Sequence, residues 1–132
     1  MLEAMVESEE ALREVQSLTR VGNWRLNLRT KQFTCSDELL KIIELAPGES
    51  HLTFELFFEM VYGDDRAVVE EAYKKSLDGK ESGHVSHRIL LRDGRTKFVT
   101  QRFTTFCDSQ GQPVRSVGTV QDFSGREIAW ER

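Results

Sequence analysis

The sequence predicts an α+β domain in which one antiparallel sheet carries its helices on one face. Three observations lead there. The apolar period changes from helical to alternating near residue 21. The middle of the chain reads as short helical segments, each opened by a capping residue. The last third alternates again over three long runs joined by turn signals, so paired strands bracket the helices.

Residues 1–20 read as an amphipathic helix, because Leu2, Met5, Leu12, Val15 and Leu18 recur at three- and seven-residue steps between charged residues. The stripe is narrow, which suits a partner helix, and Leu12, Val15 and Leu18 are its expected dimer contacts. A helix folded back on its own domain is the other reading. Gly22 breaks that helix, after which Trp24, Leu26 and Leu28 alternate with polar residues as a half-buried strand. Arg29-Thr30-Lys31 is a turn, and Gln32 to Cys35 completes a hairpin.

Ser36 or Asp37 caps a helix carrying Leu39, Leu40, Ile42 and Ile43, which Pro47-Gly48 ends. Thr53 opens a short helix with Phe54, Phe57, Phe58 and Val61 on one side. Asp64 or Asp65 caps a longer one with Val68, Val69, Ala72, Tyr73 and Leu77, stopped at Asp78-Gly79. Strands follow at Val85 to Leu91, Thr96 to Phe106 and Val114 to Phe123, separated by Arg92-Asp93-Gly94 and by a turn holding Gly111 and Pro113. Gly125 to Arg132 begins a further helix. The expected organisation is a helix over 1–20, one domain over 21–124 and the start of a linker helix over 125–132.

The 132 residues suffice for one core without metal or disulfide staples. The net charge is −4, with both signs spread along the chain, which argues against a nucleic-acid footprint. No run approaches the roughly 18 apolar residues of a membrane span, and no basic, apolar leader opens the chain, so a cytoplasmic location is expected even where a parent protein is anchored. Cys35 and Cys107 form no CxxC pair and have no histidine at ligand spacing. They read as reduced, half-buried strand residues, with a disulfide or a flavin-reactive thiol as the sharper alternative. No P-loop, nucleophile elbow or His-Glu-x-x-His is present, and Asp64-Asp65 reads as capping rather than metal or acid–base chemistry. Phe54, Phe57, Phe58, Tyr73 and Trp24 either line a cavity or fill a solid core.

Several stretches together resemble the PAS superfamily, in its subgroup with a Gly-x-Trp strand. They are Val21-Gly22-Asn23-Trp24, Cys35-Ser36-Asp37-Glu38-Leu39, Asp64-Asp65-Arg66, Arg88-Ile89 ahead of Asp93-Gly94, Gly111-Gln112-Pro113-Val114, and Val117-Gly118-Thr119-Val120-Gln121-Asp122-Phe123-Ser124. The chain departs from that pattern with Tyr62-Gly63 where His-Pro is usual, with His87 where an aromatic is common, and with Gly125 where a glutamate usually opens the exit helix.

The resemblance implies a PAS fold: a five-stranded antiparallel sheet in the order 2-1-5-4-3 with helices cupped over one face, plus an N-terminal helix. It implies a sensory input domain of a larger signalling protein of the histidine kinase or cyclic-di-GMP enzyme type, with no catalysis of its own. The expected partners are a second copy, the output domain of the same chain and a small-molecule ligand. A ligand-free docking module is the alternative. The expected pocket wall is Leu39, Ile43, Phe57, Val69, Tyr73, His87 and Ile89, and signal exit is expected through Asp122 and Ser124. No resident cofactor is expected. Haem-binding relatives place their ligand on the long helix, which holds no histidine from Asp64 to Leu77, and neither cysteine stands in the run that light-sensing flavin relatives carry.

Overall fold

The protein is described by a computed structural model over residues 20–46 and 52–123. The predicted N-terminal helix with Leu12, Val15 and Leu18, Ser124 and the linker helix lie outside the described residues; so do Pro47 and Gly48, but the helix expected to run to them already ends at Ile42, with Glu44 at positive φ just after it.

Strands β1 (Val21–Asn27) and β2 (Phe33–Cys35) form the first hairpin. Helices α1 (Asp37–Ile42) and α2 (Phe54–Glu59), a 3-10 turn (Gly63–Asp65) and helix α3 (Arg66–Ser76) follow. Strands β3 (Gly83–Leu90), β4 (Thr96–Cys107) and β5 (Pro113–Asp122) complete one sheet in the order β2-β1-β5-β4-β3, antiparallel throughout. This is the sheet the resemblance implied, and its strand bounds differ from the sequence reading by a residue or two.

The caps explain where the helices start. Ser36 has an extended backbone, and its hydroxyl accepts the Leu39 N–H of α1 at 3.3 Å and the Asn23 N–H of β1 at 3.0 Å. One side chain therefore both begins the helix and ties it to the sheet. Thr53 caps α2 in the same way, through Leu56. The expected acidic cap of α3 is corrected by the structure. Asp65 precedes α3 but already has near-helical backbone angles within the 3-10 turn, so its carboxylate makes no capping bond. It turns to β3 instead and accepts the Arg88 backbone N–H at 2.8 Å and the guanidinium at 2.8 and 3.0 Å. Those charge-assisted bonds pin the head of α3 to the sheet edge.

Two glycines set how closely the layers approach. Gly22 lies inside β1 rather than ending a helix, and a Cβ there would sit 2.5 Å from the Leu39 backbone of α1. Gly118 lies on central β5, where a Cβ would sit 2.4 Å from the Trp24 indole. The alternation along the strands puts Trp24, Leu26, Ile89, Val99, Phe103 and Val120 on the inner face, buried against Leu39, Ile43, Phe57 and Val69 of the helices. Burying each large side chain contributes about 1.5–3 kcal/mol, which is why this layer dominates stability.

The outer face corrects the impression that charge is evenly spread. Arg25, His84, Arg102 and Arg115 all project there and are exposed, and the single acid in any strand, Asp122, is buried on the other side. The strands thus gather positive charge on one surface.

Because the Trp24 ring occupies the space beside Gly118, Gly118→Ala should lower unfolding free energy by about 1–3 kcal/mol in urea titrations, an overpacking cost. Gly63→Ala, with nothing within 4 Å of its would-be Cβ, should leave the midpoint almost unchanged. Equal midpoints for the two variants would contradict the packing described.

Candidate functional site

Between the sheet and α2–α3 the interior closes around a void of about 20 Å³, the size that holds one water. Trp24, Phe57, Val61, Val69, Tyr73 and Phe103 line it with Gln101, and Phe54 and Phe58 lie at its half-buried side. Ring packing explains why so little space is left: Trp24 lies 5.6 Å from Phe54 and 6.3 Å from Phe57, and Tyr73 lies 5.1 Å from Phe54 and 5.9 Å from Phe103. Of the seven residues expected from sequence to form a wall, Phe57, Val69 and Tyr73 face this void. Leu39, Ile43, His87 and Ile89 are buried elsewhere in the core.

The polar groups around the void are tied down, with one exception. The Tyr73 hydroxyl lies 3.1 Å from the Ser116 hydroxyl, which lies 2.7 Å from that of Thr105. His87 is 2% exposed, and its Nδ1 lies 3.0 Å from the Arg88 carbonyl. A carbonyl only accepts, so Nδ1 donates and Nε2 is left to accept from the Gln101 amide at 2.8 Å. The exception is the Trp24 indole N–H, the buried side-chain polar atom without a partner among the described residues. It belongs to a residue of the void wall.

Gln101 and Phe103 escaped the sequence reading as wall residues. Their signal was the alternation Val99, Gln101, Phe103, which places a glutamine on a buried face, where it needs a partner.

The inner stripe of β4 continues from Gln101 through Val99 to Lys97. Lys97 Nζ donates to the Ile42 carbonyl at the end of α1 at 2.7 Å, and lies 3.3 Å from Glu44 and 3.7 Å from Asp122. Asp122 stands opposite Val99 at the end of β5, its side chain buried, with Arg20 at 3.8 Å. Its backbone N–H donates to the Arg20 carbonyl. One ammonium therefore connects the end of α1, the strand beside the void and the place where chain enters and leaves the sheet. Arg95 extends this group by a charge-assisted bond to Glu44 and holds the Glu44 carboxyl below its usual range, ahead of the contribution of Lys97.

As packed, the void has no room for a haem or flavin ring system, and no cysteine lines it. Cys35 ends β2 and Cys107 ends β4, both as free thiols. Among the described residues no cluster of His, Cys, Asp and Glu is arranged to hold a metal, and no helix is long and apolar enough to cross a membrane.

A family model described as PAS fold matches residues 32–120. A blue-light-activated histidine kinase of Brucella anthropi is 26% identical over 92% of this chain, which spans 24% of that protein. A crystal structure of a sensory box histidine kinase/response regulator from Burkholderia thailandensis superposes with a TM-score of 0.78, at 26% identity over 91% of this chain and 89% of that one. The N-terminal domain of a diguanylate cyclase with PAS/PAC sensor from Marinobacter aquaeolei has the same fold, with a TM-score of 0.70 at 21% identity over 81% of this chain and 98% of that one.

Burial pushes the His87 pKa down, more than its bond to the Arg88 carbonyl and the nearby Asp65 carboxylate raise it. The folded state therefore binds its proton less readily than the unfolded chain. Stability from neutral His87 is complete above the ordinary histidine range and falls as pH drops below it. Denaturant titrations between about pH 7 and pH 5 should show stability decreasing as pH falls, with net proton uptake on unfolding. His87→Gln should flatten that slope, and an unchanged slope would place the proton elsewhere.

Proposed function

This chain belongs to the PAS fold family, and from that premise we propose that it is the sensory input domain of a larger signalling protein, with a histidine kinase or a cyclic-di-GMP enzyme as its output. The chain spans about a quarter of the curated kinase it matches, so the parent's activity is part of this proposal. The input module has no catalysis of its own and acts from the cytoplasm as a homodimer, through the stripe of Leu12, Val15 and Leu18.

The observation that carries the reading is the pairing of an incompletely satisfied interior with a charged link to the exit strand. Trp24, a residue of the void wall, holds a buried indole N–H without a partner among the described residues. A small, mostly apolar molecule with one acceptor atom matches that wall, once Phe54 and Phe58 shift to enlarge it. The change passes along β4 to Lys97 and Asp122, and from there through Ser124 into the linker helix, as a shift between dimer arrangements. The small void and the absence of a cysteine at its wall support a module without resident haem or flavin, so the blue-light cue in the name of the Brucella protein is not assigned to this chain.

The second reading, a ligand-free docking module, is favoured by one observation, the filling of the interior to about one water's space. Native mass spectrometry of the purified chain separates them. A dimer with a discrete added mass supports ligand sensing, and bare chains after incubation with small aromatic acceptors support docking.

In the full-length parent, Asp122→Ala and Lys97→Met should each change output several-fold in the same direction, with the far-ultraviolet circular dichroism of the domain preserved. Output that stays at the wild-type level in both variants would contradict the link.

A further inference from the structure

Gln101 joins the void to a buried histidine. It borders the void, is 4% exposed, and its Nε2 lies 2.8 Å from Nε2 of His87, which is 2% exposed. The direction of that bond is set on the far side of the ring. The Arg88 carbonyl stands 3.0 Å from Nδ1 and only accepts, so Nδ1 carries the proton and Nε2 is bare. Gln101 answers with its NH2, which leaves its amide oxygen turned from the ring.

The same pair takes up a second proton without losing a bond. Nδ1–H keeps the Arg88 carbonyl, and a new Nε2–H needs an acceptor where the NH2 now stands. Half a turn of the Gln101 carboxamide supplies the amide oxygen there. That turn moves the NH2 to the side away from the ring, on a residue of the void wall. Moving the first proton across the ring is no substitute, since a bare Nδ1 would then face the carbonyl oxygen at 3.0 Å. Protonation of His87 and the turning of the Gln101 NH2 away from it are therefore one event.

A charged ring in this place needs a counter-charge. The elements packed on β3 are β4, α3 and the segment 60–65. The segment brings exposed Asp64, Asp65 held by three bonds from Arg88, and Tyr62 under the Arg88 guanidinium. From α3 come Arg66, bonded to the Glu59 and Val61 carbonyls, and Tyr73, bonded to Ser116. Along β4, Val99 and Gln101 are uncharged, and Lys97 is tied to Glu44 and Asp122. On β3 itself His84 projects from the other face. Each carboxylate near the ring thus has its own cation or faces solvent. Burial holds the His87 pKa down, and neither the Arg88 carbonyl nor the Asp65 carboxylate makes that good.

We propose that the interior site takes a small apolar carboxylate on the turned NH2 of Gln101, and that His87 takes up a proton from solvent as it binds. Anion and proton enter together, so the closed interior gains no net charge. A neutral acceptor gives the charged ring no partner. An alcohol donates to the amide oxygen as it already stands, with no proton taken up. This names the ligand class for the void of the ligand-sensing reading and rests on that reading.

Imidazole nitrogen spectra and amide titrations of the full chain, with butyrate and 1-butanol as probes, test it. Without ligand at about pH 7, His87 should be neutral with its proton on Nδ1. Saturating butyrate should convert it to the doubly protonated form at the same pH, and 1-butanol should not. Butyrate affinity should weaken up to about tenfold per pH unit between about pH 6 and pH 8. His87→Gln, which offers donor and acceptor at any pH, should bind butyrate without that dependence. Butyrate bound beside a neutral His87 would overturn the proposal and leave ligand sensing intact, and so would binding of 1-butanol but not butyrate. A free chain with the His87 proton on Nε2 would overturn it equally. Interior amides unmoved by about 50 mM of either probe would overturn both this proposal and the ligand-sensing reading.

Discussion

The contact of Trp24 with Gly118 is the constraint on which the rest of this structure depends. The indole occupies the space that any side chain on the central strand would need, with would-be Cβ contacts of 2.4 to 2.6 Å. Its ring then becomes the floor on which Phe54, Phe57 and Phe33 pack. The bare Gly22 two residues earlier lets the same strand receive α1 at backbone distance. These absent side chains bring both layers together, and they leave the indole N–H inside without a partner. Burying an unsatisfied donor costs about 1–3 kcal/mol, and the aromatic burial around it outweighs that cost. The result is an interior that is stable but not saturated, which is the property a sensor needs.

What makes the interior consequential is that β4, which lines it, also reaches the end of β5, where we propose that the signal leaves. Along the inner side of β4, Gln101 faces the void, Val99 opposes Asp122, and Lys97 joins Asp122 to the end of α1. Lys97 and Asp122 are both largely buried, at 16% and 4% side-chain exposure, so their attraction is screened far less than that of a surface pair. A displacement of α1 or β4 changes the position of a buried charge, and a buried charge does not move freely without its partner. The short reach from void to Asp122 requires no long chain of couplings.

Much of this was legible in the sequence, for reasons that differ by element. The strands followed from alternation around Gly94 and Gly111, both of which adopt positive φ in their turns, while their order in the sheet came from the resemblance alone. The caps at Ser36 and Thr53 were readable because each is a hydroxyl immediately before an apolar helical run. Asp65 was misread because an aspartate before a helix has two uses, and only the 3-10 turn decides between capping α3 and gripping Arg88. Gly22 reads as a helix stop from sequence because its real neighbour, Leu39, is distant along the chain. Gln101 and Lys97 were missed for a similar reason. A polar residue in an amphipathic strand reads as outward by default, and the long partners that allow it inside, His87 and Ile42 with Asp122, are revealed only by the fold.

The central claim is that the void and the exit are one mechanical unit. The most direct test is the amide spectrum of the domain with Phe57→Leu, a change on α2 that enlarges the void. The account predicts that the amide resonances of Gln101, Val99, Lys97 and Asp122 shift together, while those of Gln110 and Gly111 in the exposed turn between β4 and β5 stay in place. Shifts confined to residues bordering Phe57, with Lys97 and Asp122 unmoved, would contradict it.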